Sequence, residues 1–333
     1  MRAIVYSRSG GPEVLRLVDR AVREPGPGEV RVRIAVSGVN PTDWKSRSGT
    51  APEGDQVPDQ DGAGVVDAVG DGVRLAIGDR VWVWDAAYRR PDGTAQELTV
   101  VPERQAVLLP EAASFDLGAS LGIPALTAHL ALRAGDPHPS ALAPGALAGR
   151  TVLVAGGAGA VGHAAVELAA WAGARVISTV SSPAKAALAR AAGAHEVVDY
   201  RAEDAVAAIR RLAPEGVDLV AEVNPNANAA LDGEVLAPGG TIAVYATDSP
   251  DPLSFAIRTF MSKNLRWRFL LTYTAPADEK DAAVEGVRAA VAAGALRVGE
   301  DAGLPVTRFP LERTADAHAA VESGTVGKVL IDV

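Results

Sequence analysis

The pattern of apolar and polar positions divides the chain into two parts with different periodicity. In the first third, short runs rich in β-branched residues are separated by turns that contain Gly and Pro, at residues 2–6, 29–36, 64–69 and 80–84. Closely spaced strands joined by such turns are typical of a small barrel or sandwich. We therefore predict a β-rich domain at the amino terminus.

From Thr151 onwards, strands alternate with helical segments. Residues 151–155 form a continuous apolar run, as expected for a parallel strand that is buried on both faces. Further strands are predicted at residues 175–180, 196–198, 218–222 and 241–245, with helices between them. This rhythm predicts a doubly wound parallel sheet whose ligand crevice lies at the carboxyl ends of its strands.

The end of the chain combines a long helical segment, residues 279–293, with an apolar terminal strand, residues 328–333. We expect that strand to rejoin the first domain. The predicted fold class is therefore α/β, with a β-barrel domain built from residues 1–123 and 273–333. A Rossmann-type doubly wound parallel sheet over residues 124–272 is inserted into it.

Composition narrows the chemistry. A length of 333 residues fits two domains, and the absence of cysteine excludes disulfides, thiolate nucleophiles and cysteine-based metal sites. The formal charge of −9 and the lack of a dense basic block argue against nucleic acid and anionic membranes as partners. Without a signal-like leader or an uninterrupted apolar span, the chain is expected in the cytoplasm.

A glycine-rich segment follows the apolar run at 151–155. Gly156, Gly159 and Gly162 stand at intervals of three and open the next predicted helix. Such glycines permit a tight turn and a close approach of the backbone to a pyrophosphate, which the helix N-terminus then binds. A purely structural turn is the alternative reading. The strand–loop–helix context favours a dinucleotide.

The end of the strand at 175–180 discriminates between cofactors. NAD-binding sheets usually carry an acidic residue there, whereas this strand is followed by Ser181-Ser182-Pro183-Ala184-Lys185. Hydroxyls and an ammonium group suit a 2′-phosphate, and Tyr200 can add another hydroxyl, so we favour NADPH. In the alternative reading, Ser182 and Pro183 only open a helix and Lys185 is a solvated charge.

Several motifs together resemble those of the zinc-free quinone oxidoreductase (zeta-crystallin-like) branch of the medium-chain dehydrogenase/reductase superfamily. They are GVNPTD (38–43), DGAGVV (61–66), GDRV (78–81), GIPALTA (122–128), the glycine loop, LAPGG (236–240) and GKV (327–329). The resemblance implies a GroES-like barrel domain, a Rossmann domain with NADPH in the cleft between them, and a homodimer or homotetramer. Zinc-dependent members use cysteine and histidine ligands, so we expect no metal in this chain.

The resemblance also implies which residues contact the cofactor. The dinucleotide is expected on Gly156, Gly159, Ala160, Val161 and Gly162, and the 2′-phosphate near Ser181, Lys185 and Tyr200. Asn226 is expected near the adenosine half. Main-chain contacts around the nicotinamide are expected from Ala246, Thr247, Phe269, Leu270 and Leu271.

On the nicotinamide and substrate side, the resemblance implies Asn40, Lys45 and Thr127. Asn40 can donate an amide N–H to the acceptor, or can simply start a turn with Pro41. Lys45 can donate a proton, pair with a cofactor phosphate, or be a solvated lysine. Two departures are evident: Lys45 replaces a tyrosine common in the family, and Gly324 replaces an arginine that binds the 2′-phosphate in some members.

The leading hypothesis is hydride transfer from NADPH to quinones, which are small electrophiles. Reduction of an activated C=C bond in enals, enones or enoyl thioesters is an alternative that similar proteins catalyse. A non-catalytic, crystallin-like protein that binds NADPH is an alternative from another class. Asp43 and Asp61 are expected to hold turns rather than to act as bases, because Pro and Gly are their neighbours.

Overall fold

The computed structural model describes residues 1–135, 139, 141–247 and 249–333, so the segment 137–144, which is loop-like in composition, lies partly outside the described residues. The first segment contains β1 (Arg2–Val5), β2 (Arg16–Asp19), β3 (Glu29–Val39), α1 (Pro41–Gly49), β4 (Asp61–Val69), β5 (Arg80–Val83), β6 (Leu98–Pro102), β7 (Ala106–Leu108) and α2 (Phe115–Gly118). The middle segment contains α3 (Gly122–Leu132), β8 (Thr151–Ala155), α4 (Ala160–Trp171), β9 (Arg175–Val180), α5 (Pro183–Ala191), β10 (Glu196–Asp199), α6 (Ala205–Leu212), β11 (Val217–Glu222), α7 (Pro225–Val235), β12 (Leu236–Val244), α8 (Ile257–Ser262), β13 (Arg266–Phe269) and α9 (Ala277–Ala292). The last segment contains β14 (Val306–Pro310), α10 (Thr314–Glu322) and β15 (Lys328–Asp332).

The middle segment folds around a six-stranded parallel sheet. Its strand order is β10-β9-β8-β11-β12-β13, the doubly wound arrangement in which the order reverses between β8 and β11. The central strands are buried on both faces, because Val152, Val154 and Val220 are fully inaccessible. The continuous apolar runs of the sequence therefore predicted these strands correctly, and the crevice lies where their carboxyl ends meet.

The first and last segments together form a seven-stranded, mainly antiparallel sheet, with β1 and β2 as a separate hairpin. β15 pairs antiparallel with β3, so the terminal strand returns to the first domain as the sequence predicts. The long pairing of β3 with β4 shifts register twice, between Arg31 and Val32 and between Ile34 and Val36. Such bulges bend a strand and increase its twist, which lets one long strand contribute to a strongly curved sheet.

Contacts divide the chain into two compact units, Met1–Ile123 with Pro305–Val333, and Pro124–Leu304. The first boundary coincides with the expected one at residue 123. The segment 273–304 was expected in the barrel domain but belongs to the second unit. There, Gly286 of α9 packs so closely on His129 that a Cβ would collide with the imidazole, and Arg297 pairs with Glu167 of α4 at 2.8 Å.

Some elements were missed at the sequence level. β13 reads Arg-Trp-Arg-Phe and lies at an edge of the sheet, so its pattern is not the apolar run of a central strand. Residues 115–132 contain the two helices α2 and α3. Within the described part of the chain, no helix is long and apolar enough to cross a bilayer.

Candidate dinucleotide-binding site

The glycine loop connects β8 to α4 in the second unit. Gly156 adopts φ of 69°, a left-handed conformation that side chains disfavour, and its N–H donates to the carbonyl of Thr179 at 3.0 Å. Gly159 is the N-cap of α4, and its own N–H donates to the carbonyl of Gly156 at 3.0 Å. The loop thus turns back on itself, and the first N–H groups of α4 are left without an intrahelical acceptor.

The space around two of these glycines explains their spacing. A Cβ on Gly162 would collide with the carbonyl oxygen of Gly156, so glycine allows the helix to lie against the loop. A Cβ on Gly159 would meet only the Gly156 carbonyl, 3.5 Å away. The helix begins Ala160-Val161-Gly162-His163, so no carboxylate of this turn opposes an anion. This cradle therefore fits the diphosphate of a dinucleotide.

The residues predicted to bind a 2′-phosphate come together beside the loop. Lys185 Nζ donates to Ser181 Oγ at 3.1 Å, and Ser182 caps α5 by accepting from the Lys185 N–H at 3.3 Å. The N–H of Tyr200, which follows β10, donates to the carbonyl of Val180 at the end of β9 at 3.1 Å. The Tyr200 side chain is half exposed. A hydroxyl, an ammonium group and a phenol therefore share the carboxyl edge of β9 and β10.

A cavity of about 310 Å³ lies on the other side of the loop, at the carboxyl ends of β11, β12 and β13. Five of the predicted cofactor residues line it: Asn226, Ala246, Thr247, Phe269 and Leu270. Leu271 follows directly and is exposed. The N–H of Leu270 donates to the carbonyl of Val244 at 2.8 Å, which holds the chain after β13 against β12.

Asn226 forms hydrogen bonds with other residues of the cavity wall. Its Oδ1 accepts from Thr247 Oγ1 at 3.1 Å, and its Nδ2 donates to the carbonyl of Asp251 at 3.0 Å. It therefore lies beside Thr247, one of the residues predicted for the nicotinamide. Ser181, after β9, and Asn226, after β11, are on opposite sides of β8 in the sheet order.

Thr127 is buried in α3 of the second unit. Its hydroxyl forms a hydrogen bond of 2.6 Å with the hydroxyl of Thr272, which is also buried. In a pair of hydroxyls one donates and the other accepts, so each retains further hydrogen-bonding capacity. Thr127 therefore has a hydrogen-bond partner, Thr272, within the second unit.

Asn40 and Lys45 belong to the first unit. The Oδ1 of Asn40 accepts from Lys328 Nζ at 2.7 Å, and its Nδ2 donates to Asp61 at 2.8 Å and to the Gly38 carbonyl at 3.4 Å. The residue is only 2% exposed. Both N–H groups of the carboxamide are therefore in use, and donation to an acceptor would require one of these bonds to break. The ammonium of Lys45, one turn along α1, lies 5.7 Å from the ring centroid of Trp44.

The two aspartates near Asn40 accept from backbone N–H groups, Asp43 within its own turn as expected, and Asp61, which begins β4, at the start of α3. Asp43 accepts from the Asn40 N–H at 2.7 Å at the start of α1, and Asp61 accepts from the Ile123 N–H at 2.9 Å. Burial raises the pKa of Asp61 to about 6, although the charge of Lys328 opposes this. Burial likewise lowers the pKa of Lys328, and the charge of Asp61 opposes that change. Asn40, Asp61 and Lys328 form what we call the buried triad.

Two groups of polar residues were missed by sequence reasoning. Lys328 is a lone cation in the apolar strand β15, a signal that could have marked it as a buried partner. Glu222 ends the apolar strand β11, and Asp232 lies in α7; both are fully buried. Among the described residues, no cluster of His, Cys, Asp and Glu is suited to hold a metal ion.

Comparisons with known proteins agree with this architecture. Residues 26–111 match the model of the alcohol dehydrogenase GroES-like domain, and residues 160–289 match the model of the zinc-binding dehydrogenase family. The quinone oxidoreductase of Lama guanicoe is 32% identical over 341 residues, covering 99% of this chain and 97% of that protein. The quinone oxidoreductase of Homo sapiens is 31% identical with the same coverage.

Solved structures give the same picture. A mycobacterial protein in complex with NADPH aligns over all of both chains with a TM-score of 0.83 and 30% identity. The quinone oxidoreductase of Escherichia coli in complex with NADPH aligns over all of both chains, with a TM-score of 0.81 and 26% identity. An NAD-dependent alcohol dehydrogenase reaches a TM-score of 0.85 at 30% identity, again over all of both chains. With relatives above 30% identity over nearly its whole length, the chain belongs to the quinone oxidoreductase branch of the medium-chain dehydrogenase/reductase superfamily and is an oxidoreductase.

Proposed function

We propose that this chain is an NADPH-dependent, zinc-independent reductase that transfers a hydride to quinones. The observation that carries the proposal is the arrangement along one edge of the parallel sheet. The Ser181–Lys185 pair follows β9, the open glycine loop follows β8, and the cavity follows β11 to β13. A dinucleotide with a 2′-phosphate needs these three features in this order.

Each feature has a separate task in binding. The N-terminus of α4 binds the diphosphate through backbone N–H groups and its positive dipole. Lys185 and Ser181 bind the 2′-phosphate, because an ammonium and a hydroxyl both donate to its oxygens, and Tyr200 adds its phenol. The nicotinamide half occupies the cavity, where Asn226 joins Ala246, Thr247 and the chain at 269–271. The two NADPH-bound neighbours support the choice of this cofactor.

Hydride transfer requires few protein groups beyond those that bind the cofactor and the acceptor. When bound, NADPH supplies the hydride, and a proton from solvent completes reduction of a quinone to the hydroquinone. The protein's residues orient the nicotinamide and exclude water from it. Thr127, whose hydroxyl is fixed by Thr272, is proposed to orient groups on the nicotinamide side. Lys45 is proposed to contribute positive charge there, in place of the aromatic contact expected for the family.

Zinc independence rests on the residues that are available as ligands. The chain has no cysteine, so neither a catalytic site with thiolate ligands nor a four-cysteine structural site can form. Asn40, in the first unit, offers a carboxamide that is bonded to Lys328 and Asp61. A carboxamide held by a cation is a poor ligand for a second cation.

Steady-state oxidation of NADPH tests this function directly. Benzoquinones, naphthoquinones and 2-enals are compared as acceptors, before and after dialysis against a chelator. We expect turnover with quinones that exceeds turnover with enals and that survives the chelator unchanged. Inactivity with every quinone, with turnover of 2-enals, would replace the proposal by reduction of activated C=C bonds. Tight NADPH binding without turnover of any acceptor would favour a non-catalytic protein.

A further inference from the structure

Two buried carboxyl groups lie behind the wall of the cavity. Glu222 is the last residue of β11, and Asp232 lies in α7, one turn after Asn228 on the same helix face. Both side chains are fully inaccessible to solvent. Between them in the chain, Pro225 and Asn226 line the cavity.

Glu222 organises the turn between β11 and α7. Its Oε1 accepts from the backbone N–H of Asn224 and from Asn228 Nδ2, the latter at 3.0 Å. Its own carbonyl accepts from the Tyr245 N–H at 3.1 Å, which connects the end of β11 to the chain after β12. One carboxylate thus fixes both ends of the short segment that presents Asn226.

Asp232 has a different environment. Among the described residues, no N–H or hydroxyl group donates to either of its oxygens, nor to Oε2 of Glu222. The two carboxyl groups lie close enough for the charge of Glu222 to act on Asp232. A hydrogen bond between them would satisfy these oxygens, and it requires that one of the two groups carry a proton.

We propose that Glu222 and Asp232 share one proton, and that this protonated pair positions the Asn226 turn for dinucleotide binding. The positioning role rests on the proposed function, which supplies the dinucleotide as the ligand. The shared proton rests on the burial and contacts of the two acids. It makes both acids positioning residues, since neither is exposed to the cavity.

The surrounding charges agree with a proton on Asp232. Burial raises its pKa well above the usual range, and the charge of Glu222 raises it further. Burial also raises the pKa of Glu222, but the Asn224 and Asn228 donors oppose this. The phenol of Tyr245, which directly follows β12, faces Glu222, and its pKa is raised by burial and by that carboxylate.

The cations nearest to α7 are engaged elsewhere. Arg210 of α6 pairs with Glu234, and Lys263, which follows α8, donates to the carbonyls of Gly233, Glu234 and Leu236 at the end of α7. Among the described residues no cation pairs with Glu222 or Asp232, so two ionised carboxylates side by side would repel each other. One shared proton removes that repulsion.

The experiment compares Asp232→Asn, which supplies a neutral N–H donor to Glu222, with Asp232→Ala, which removes the contact. Glu234→Gln is the control, because it removes an exposed acid from the same helix. Binding of NADPH is measured by fluorescence titration. We expect Asp232→Asn and the control to bind within about twofold of wild type and Asp232→Ala to bind about tenfold more weakly, which equals about 1.4 kcal/mol.

The proton is tested by denaturant unfolding of the ligand-free proteins between pH 4 and pH 9. The folded pair retains a proton that the unfolded chain releases near pH 4, so stability falls as pH rises from there. Relative to Asp232→Asn, the unfolding constant of wild type should therefore increase about tenfold per pH unit until the pair ionises. Other titrating groups cancel in this difference.

The two measurements fail in distinguishable ways. Identical pH dependence of unfolding in wild type and Asp232→Asn would overturn the shared proton. Wild-type affinity in a folded Asp232→Ala would overturn the positioning role. If wild type binds no NADPH, the proposed function and the positioning role both fall, while the unfolding measurement still decides whether the proton exists.

Discussion

The carboxyl edge of the six-stranded sheet and the buried triad of the first unit both contain short polar motifs, but they use them in opposite ways. At the sheet edge, the first N–H groups of α4 have no acceptor within the helix, and Lys185 is only half-buried beside Ser181. In the triad, Asn40, Asp61 and Lys328 bond to one another and are almost inaccessible. The first region can receive an anion, whereas the second stabilises the fold around α1.

The difference shows that residue type alone does not identify a ligand contact. Lys185, in the first turn of α5, and Lys328, in strand β15, are the same residue type. Only the second must be compensated by the protein itself, because water cannot reach it. Substitutions should therefore affect the two regions differently. In the triad they should lower the free energy of unfolding, and at the sheet edge they should lower the affinity for the ligand.

The largest effect is expected from Lys328→Ala. The change leaves Asp61 buried without its cation and the carboxamide oxygen of Asn40 without a donor. We expect a loss of about 3–5 kcal/mol in the free energy of unfolding, measured with denaturant. Arg8→Ala, at an exposed position, is the control and should change it by less than about 0.5 kcal/mol. Equal effects would mean that the triad does not stabilise the unit.

A pH-dependent effect is expected from Asp61. Its pKa of about 6 in the folded protein exceeds the ordinary value near 4, so the folded chain retains a proton that the unfolded chain releases. Between about pH 4 and 6, this group therefore lowers the free energy of unfolding by about 1.4 kcal/mol per pH unit as pH rises. Asp61→Asn should remove that slope, and Asp55→Asn, at an exposed position, should keep it. The same slope in both variants would refute the assignment.

The glycine loop should separate affinity from stability. In Gly159→Ala the new Cβ makes only an ordinary van der Waals contact with the Gly156 carbonyl, 3.5 Å away, so we expect unfolding to change by less than about 0.5 kcal/mol. NADPH affinity should fall about tenfold, because the methyl group occupies space needed by the phosphates. Gly162→Ala should instead lower stability by about 1–3 kcal/mol, since its Cβ meets the Gly156 carbonyl. If Gly159→Ala binds NADPH normally, the diphosphate does not lie there.

The smallest effect is expected from Asn226→Ala. It removes the hydrogen bond to Thr247 on the cavity wall, which should weaken NADPH binding by about 0.5–1.5 kcal/mol in a calorimetric titration. Thr247→Val removes the same bond from the other side. The two changes should therefore be non-additive in the double variant. Fully additive losses would show that Asn226 acts independently of Thr247.

Local patterns predicted the second unit well, for physical reasons. Strands that are buried on both faces must be continuously apolar, so their sequences can be recognised. Ser182 and Pro183 are typical of a helix N-cap and first turn, so they predict where α5 begins. Edge strand β13 was not predicted, because an edge strand needs no apolar run. The segment 273–304 was assigned to the wrong unit, because no local pattern shows on which unit a helix packs. The cavity is lined by residues from strands and from loops, so its shape could not be predicted from local patterns. Only the residues that line it could be anticipated.

The triad shows the limit of sequence reasoning at the site. Asn40 and Asp61 are 21 residues apart, and Asn40 and Lys328 are 288 apart. Their contacts depend on the pairing of β15 with β3 and of β3 with β4. The motif that contains Asn40 could thus be recognised locally, but the hydrogen bonds of this residue could not be predicted. The same holds for Glu222 and Asp232, whose burial depends on how α7 packs.

We propose that the acid-free edge of β9 selects NADPH through Lys185. Titration of NADPH and NADH into wild type, Lys185→Ala and Arg190→Ala measures this selection, since Arg190 is an exposed cation near the other end of α5. We predict that Lys185→Ala weakens NADPH binding about tenfold or more and changes NADH binding by less than about twofold, whereas Arg190→Ala affects neither. An equal loss for both dinucleotides in Lys185→Ala would show that Lys185 does not bind the 2′-phosphate.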